Sequence, residues 1–293
     1  MSMKPKYPIY IVSKGRWSTR LTADALEKMG QSYFMVVEQH ELDLYAQEIG
    51  ANRCLVLPQS YLDEYETCDD LGDSKSKGPG SARNYCLDHA KNYGYKRHWV
   101  MDDNIDGFYR LNRNLKVKCL TPAIFRAAED FVDRYENVPL AGFNYAMFAK
   151  RKDSAPPFVL NTRIYSCLLV DNSIKHRWAG RYNEDTHLSL RVLKDGDCTI
   201  QFNAFLANKV RTQTLAGGNT DAFYAHEGTL NKSKMLEALH PDVSRVVWKF
   251  DRWHHFVDYN PFKNNKLQKT DIQIQSGVNN YGMKLHDTIT AND

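Results

Sequence analysis

Short apolar runs alternate along this chain with amphipathic stretches, and the alternation predicts the elements in order. Residues 8–13 (PIYIVS), 33–38 (YFMVVE) and 54–57 (CLVL) read as strands. Between them, residues 19–29 place Leu21, Ala25, Leu26 and Met29 on one side of a helix that stops at Gly30, and residues 40–49 form a second helix ended by Gly50. Such a β-α-β-α-β rhythm builds parallel strands joined by helical crossovers. Residues 82–93 then read as a helix capped by Ser81, residues 99–101 as a buried strand, and residues 115–119 as a strand-like piece. Residues 122–135 form a helix with Phe125, Ala128, Phe131 and Val132 at helical spacing. Strands follow at 140–148, 165–170 and 199–205, with a helix at 184–193 that begins after Asn183 and ends at Asp195-Gly196. No internal repeat or long linker interrupts the series. The expectation is an α/β, Rossmann-like mixed sheet, mainly parallel and flanked by helices. It forms one domain over residues 1–261, followed by a polar, loosely packed extension at 262–293.

Composition narrows the class. The chain has 293 residues, 42% of them hydrophobic, which is enough for a full core. A net charge of +4 permits an anionic partner without requiring one. The six cysteines (Cys54, Cys68, Cys86, Cys119, Cys167, Cys198) show no CxxC pair and no zinc spacing, so they read as buried thiols in a reducing, cytoplasmic setting. The N-terminal apolar run is too short for a signal peptide. No run of about 18 apolar residues is present, so no membrane partner is expected.

The chemistry concentrates at Trp99-Val100-Met101-Asp102-Asp103-Asn104-Ile105-Asp106, where an apolar strand ends in acids. Open α/β sheets bind ligands at that edge. Converging carboxylates suit a hard divalent cation carrying a phosphate-bearing substrate, and the same residues also suit an acidic turn. One helix earlier lies the basic, glycine-rich loop Lys75-Ser76-Lys77-Gly78-Pro79-Gly80-Ser81-Ala82-Arg83-Asn84. Helix N-termini attract phosphate, and Lys77 and Arg83 add formal charge. It lacks the P-loop spacing. In the first βα loop, Ser13 and Arg16 are placed to hold a nucleotide base or phosphate. In Trp178-Ala179-Gly180-Arg181-Tyr182-Asn183-Glu184-Asp185, two acids open a helix, either as dipole partners or with Asp185 rather than Glu184 as a general base. His226 and the pair His254-His255 are candidates to complete a metal site, although neither lies in an HExxH pattern. Basic residues Lys150, Arg151, Lys152, Lys249 and Arg252, and the aromatic density from residue 248 to 259, suit phosphates and stacked bases.

Taken in order, PIYIVSKGRW, the KGPGSARN loop, WVMDDNI and the RWHH segment resemble the TET-associated glycosyltransferases, within the GT-A fold of nucleotide-sugar glycosyltransferases. The resemblance covers roughly residues 7 to 260. It implies a donor half at 7–118 and an acceptor half at 119–261. It also implies a DxD-type motif at Asp102-Asp103-Asn104 that binds Mn²⁺ or Mg²⁺ and a UDP-sugar, and acceptor-side acids at Glu184-Asp185. Phage members of that family modify 5-hydroxymethylated pyrimidines in DNA, so double-stranded DNA with hydroxymethylated bases is the implied acceptor. The third motif position is Asn104 rather than Asp. Asp106, His226 or His255 would then complete the ligand set with Asp102 and Asp103. Two other readings of the clustered acids are a glycosyltransferase for a protein or glycan acceptor and a metal-dependent nuclease or nucleotidyltransferase.

Overall fold

A computed structural model of the chain describes residues 4–70, 76–112, 115–149, 156–210 and 230–272. Its centre is a ten-stranded sheet. The strands are β1 Ile9–Val12, β2 Phe34–Val37, β3 Cys54–Val56, β4 Arg97–Asp102, β5 Ile105–Asn112, β6 Leu115–Lys118, β7 Leu140–Tyr145, β8 Phe158–Leu160, β9 Cys167–Asp171 and β10 Thr199–Lys209. They run in the order β3-β2-β1-β4-β9-β7-β10-β5-β6, and β8 pairs with β10. The first four are mutually parallel. Beyond them the sheet is mixed: β9 runs antiparallel to β4 and β7, β7 and β10 are parallel, and β5 is antiparallel to β10. The helices are α1 Leu21–Lys28, α2 Leu42–Ile49, α3 Gln59–Asp63, α4 Gly80–Asn92, α5 Ala123–Val132, α6 Glu184–Lys194 and α7 Leu230–Leu239. A separate antiparallel ribbon, β11 Ser244–Lys249 and β12 Arg252–Val257, follows α7.

The continuous apolar runs have a direct cause. Ile9 and Ile11 of β1 and Trp99 and Met101 of β4 pack into one core with Leu26 of α1, Ile49 of α2 and Phe125 of α5. Their alternates Tyr10, Val12 and Val100 pack into a second core with Cys86, Leu87 and Ala90 of α4 and Leu188 of α6. A strand covered on both faces must be apolar at every position. Gly142 of β7 sits where a Cβ would run into the Cys167 carbonyl and Ile164. Gly142→Ala therefore lowers stability by about 1–3 kcal/mol through overpacking, read as a drop in Tm.

Three expectations change. Helix α4 begins at Gly80 after Pro79, with no side-chain cap, so Ser81 lies inside the first turn and is buried rather than capping it. Residues 105–112 form a strand, and residues 230–257 form a helix and ribbon, which the pattern reading left out. The beginning of the polar C-terminal stretch is packed rather than loose. Phe262 is buried, Asn265 donates to the carbonyls of Leu193 and Asp197, and the Gln268 N–H donates to Asn137. None of the six cysteines is paired: Cys86, Cys167 and Cys198 are buried, and the other three are partly exposed. Among the described residues no helix is long and apolar enough to cross a membrane.

Candidate active site

Asp102 is the last residue of β4, the central strand where the parallel part of the sheet meets the antiparallel part. After it the chain turns through Asp103 and Asn104 into β5. Thr22 near the start of α1 holds this turn: its hydroxyl donates to the Asp102 carbonyl at 2.6 Å and accepts from the Ile105 N–H at 2.9 Å. Val12 of β1 lies in register with Asp102, so the βα loop after β1 emerges beside Asp103. There the Ser13 hydroxyl donates to one Asp103 oxygen at 2.7 Å, and Arg16 donates to the other at 2.5 Å. Ser13 has already given its hydrogen, so the Tyr45 hydroxyl donates to Ser13 Oγ at 2.6 Å and accepts the Arg16 N–H at 3.0 Å.

Arg83, fully buried in the first turn of α4, joins three segments. It donates to Asp102 at 2.7 Å, to Glu184 at 2.7 Å and to Asp185 at 2.5 Å. Asn84 beside it clamps the loop before α6, donating to the Trp178 carbonyl and accepting the Trp178 N–H, both at 2.9 Å. The Trp178 indole N–H donates to Asp185 at 2.9 Å. Arg181 of that loop is buried and paired with Asp69. On the other side of Asp102, its second oxygen accepts from Ser166 at 2.7 Å and from Lys209 Nζ at 2.6 Å. Ser166 lies just before β9 at φ +63°, and its N–H comes within 3.4 Å of Asp185. The Tyr145 hydroxyl meets Ser166 Oγ at 2.5 Å, and Lys209 Nζ lies 5.6 Å from the Tyr145 ring centroid. Lys209 ends β10 where its register against β5 shifts, an irregularity of the kind that re-aims side chains beside sites.

Four carboxylates (Asp102, Asp103, Glu184, Asp185) thus meet three cations (Arg16, Arg83, Lys209). Burial works against the charge on Asp102, yet Lys209 and Arg83 prevail and hold it well below the usual carboxylate range. Burial raises Asp103, with Arg16 opposing. Burial pushes Asp185 up to about 7; Arg83 opposes the rise, and the neighbouring carboxylates Glu184 and Asp102 add to it. Lys209 is desolvated too, but Asp102 keeps it charged, well above the ordinary lysine range.

The structure therefore brings together Ser13, Arg16, Arg83, Asp102, Asp103, Glu184 and Asp185. Lys77 is elsewhere engaged, donating to the Leu62 carbonyl at 2.8 Å. Arg83 gives both terminal nitrogens to protein carboxylates, which makes it the organiser of the acids rather than a phosphate ligand. Asp106 is exposed and accepts from Asn208 at 2.7 Å, and His255 lies in β12, paired across the ribbon with Val246. Neither joins the Asp102 group. His226 and Lys150, Arg151 and Lys152 lie outside the described residues. Both oxygens of Asp102 and both of Asp103 already accept donors. Within this group the buried Asn104 amide oxygen and the buried Arg83 Nε are without a hydrogen-bond partner. Among the described residues no group of three His, Cys, Asp and Glu side chains is placed to hold a metal ion. This donor set does not fit the divalent cation expected from the sequence, because amino acid cations stand where the metal would. Lys209, Ser166, Tyr145 and Tyr45 were missing from the sequence reading. No local pattern marks them, since each reaches the site through strand register or a crossover.

A model of the family described as TET-Associated Glycosyltransferase matches residues 7–218. The match spans β1 to β10 and every residue of the cluster, and it ends before α7 and the ribbon. No curated protein matches the chain.

Proposed function

The chain belongs to the TET-associated glycosyltransferase family, and from that premise we propose that it moves a sugar from a UDP-sugar to the hydroxyl of 5-hydroxymethylcytosine in phage DNA. As a glycosyltransferase it takes a nucleotide-sugar donor and an acceptor. The observation that supports the reading most is the Arg83 hub, which places the strand-end Asp102 and the acids Glu184 and Asp185 around one side chain. The Ser13–Arg16 loop, at the carboxyl ends of β1 and β4, receives the nucleotide end of the donor. Lys209 sets a full positive charge beside the diphosphate, where negative charge grows as the sugar leaves. Asp185, with a basicity near neutral and one oxygen held only at 3.4 Å by Ser166, is the general base. The acceptor hydroxyl attacks the anomeric carbon and its proton passes to Asp185. The bond from that carbon to the diphosphate oxygen breaks, and UDP departs. One such displacement inverts the anomeric configuration.

Duplex DNA carrying 5-hydroxymethylcytosine, incubated with a panel of UDP-sugars, gains the mass of one sugar unit by mass spectrometry. No gain with any donor, or transfer to a protein or glycan acceptor instead, sinks the reading. A second outcome concerns charge. Lys209→Met lowers kcat for UDP release by about 10²-fold, the scale for removing one preorganised electrostatic partner. Wild-type turnover persists in EDTA. Turnover abolished by EDTA and restored by Mn²⁺ or Mg²⁺ overturns the role given to Lys209.

A further inference from the structure

The ribbon β11–β12 stands outside the main sheet and beyond the residues that the family model matches. It pairs Trp248 with Trp253 and Lys249 with Arg252, leaving Phe250 and Asp251 as a two-residue turn. Both turn residues have positive φ, +51° and +55°. Turns of this type ordinarily carry Asn-Gly, because a Cβ is disfavoured there, and a bulky residue in that region is a genuine outlier. Phe250 is nevertheless 82% exposed, so no core contact explains its place at the apex. Such strain is characteristically retained at functional sites.

The two faces of the ribbon differ. Cross-strand register puts Arg245 with Phe256, Val247 with His254 and Lys249 with Arg252 on one face. That face carries three formal cations and no acid; Asp251 in the turn is the one acid of the ribbon. The Arg245 guanidinium lies 4.9 Å from the Phe256 ring centroid, and Arg252 donates to His254 at 3.0 Å. On the other face, Ser244 and Val257 are buried at the root, and the Trp248–Trp253 pair projects toward the tip with ring centroids 5.0 Å apart. The root is anchored to the active site. Val257 shares a core with Leu190 of α6 and Leu236 of α7. Met235 of α7 packs on Tyr182, and the Lys232 carbonyl accepts from Asn183, the residue just before Glu184 and Asp185.

We infer that this ribbon docks on duplex DNA, its Arg245, Lys249 and Arg252 face against the phosphates and Phe250 as the wedge that opens the base stack at the target. A two-stranded ribbon fits a DNA groove, cations on one face match the phosphate charge, and an exposed apolar side chain is what kinking proteins insert between base steps. A base that reacts inside a duplex must leave the stack to reach its pocket. The ribbon supplies that step from a mount joined to Tyr182 and Asn183, just before the acids that open α6. The inference rests on the DNA-acceptor reading above.

Phe250→Gly is the informative variant, because glycine accepts the positive φ and the ribbon keeps its turn. Sugar transfer is measured on 5-hydroxymethylcytosine in a duplex and in a single strand, with 2-aminopurine next to the target as a reporter of unstacking. The ratio of duplex to single-strand kcat/KM falls at least tenfold in Phe250→Gly, and the fluorescence rise seen when wild type binds the duplex is lost. The pair Lys249→Ala with Arg252→Ala weakens duplex binding and reduces the magnitude of the salt slope by about two. An unchanged ratio and an unchanged fluorescence rise in Phe250→Gly overturn the wedge. If wild type neither binds nor modifies either form of DNA, the DNA-acceptor reading itself fails, and the ribbon proposal with it.

Discussion

Asp185→Asn lowers kcat by roughly 10²–10⁴-fold, the contribution typical of a positioned general base. The amide keeps the shape of the side chain and can still accept from Arg83 and from the Trp178 indole, which hold the carboxylate at 2.5 and 2.9 Å. What it loses is the capacity to take the acceptor proton. The wild-type pH profile carries the same signature. Burial is the largest influence on Asp185 and pushes its carboxyl up from 3.8 to about 7, against the pull of Arg83. The base form is the deprotonated one, so kcat rises with pH through about 7, and Asp185→Asn removes that rising limb. The stability sign is opposite. Between 3.8 and about 7 the folded state holds a proton that the unfolded chain has released, so the contribution of Asp185 to stability declines as pH rises through that window. Glu184→Gln is the control on the same hub: a larger loss of kcat there than in Asp185→Asn moves the base to Glu184. Steady-state UDP release across pH, with thermal melts at the same pH values, reads both effects.

Arg83→Met destabilises the fold by about 3–5 kcal/mol, the cost of removing one partner from a buried ion cluster. The side chain of Arg83 is fully buried, and three carboxylates face it. Methionine fills much of the volume but leaves Glu184 and Asp185 without their main cation, while Asp102 keeps Lys209. Arg83→Lys restores only part of the loss, because a compact ammonium cannot span three acceptors in the fixed geometry of a guanidinium. Combining Arg83→Met with Asp185→Asn costs less than the sum of the two, since the second change removes one of the orphaned charges; a double-mutant cycle by urea unfolding measures that coupling. Additive losses, or a fall in stability below about 1 kcal/mol for Arg83→Met, would show that the hub is not what joins α4, β4 and α6.

The α/β rhythm was legible because its cause is local. Ile9 to Val12, Phe34 to Val37 and Arg97 to Asp102 are strands covered on both faces or nearly so, and their sequence shows it without reference to any partner. Strands with one face toward solvent were harder. In β5, exposed Asp106, Arg110 and Asn112 interrupt the apolar positions, and the acids just before it draw the eye to chemistry. The ribbon was hidden by its turn: Phe250-Asp251 carries none of the Asn-Gly signal that marks a tight hairpin. The polar stretch from 262 reads as a tail because much of its packing runs through hydrogen bonds of Asn265 and the Gln268 N–H, around the single buried Phe262.

By itself the sequence determined which residue types stand at the sheet edge and helix starts: Asp102 and Asp103 after a buried strand, Arg83 opening one helix, Glu184 and Asp185 opening another. Those are short-range facts of period and position; the family resemblance rested on the motif strings PIYIVSKGRW, KGPGSARN, WVMDDNI and RWHH. Which of these groups touch was decided only by the tertiary structure. Arg83 and Asp185 are 102 positions apart, and Lys209 and Asp102 are 107 apart, so their pairing depends on strand order, register and the irregularity before Lys209. That is why, among the described residues, Asp106 and His255 stand away from Asp102, and why a lysine no motif marks stands against the motif aspartate. A carboxylate in a dry site takes the nearest cation that the fold delivers.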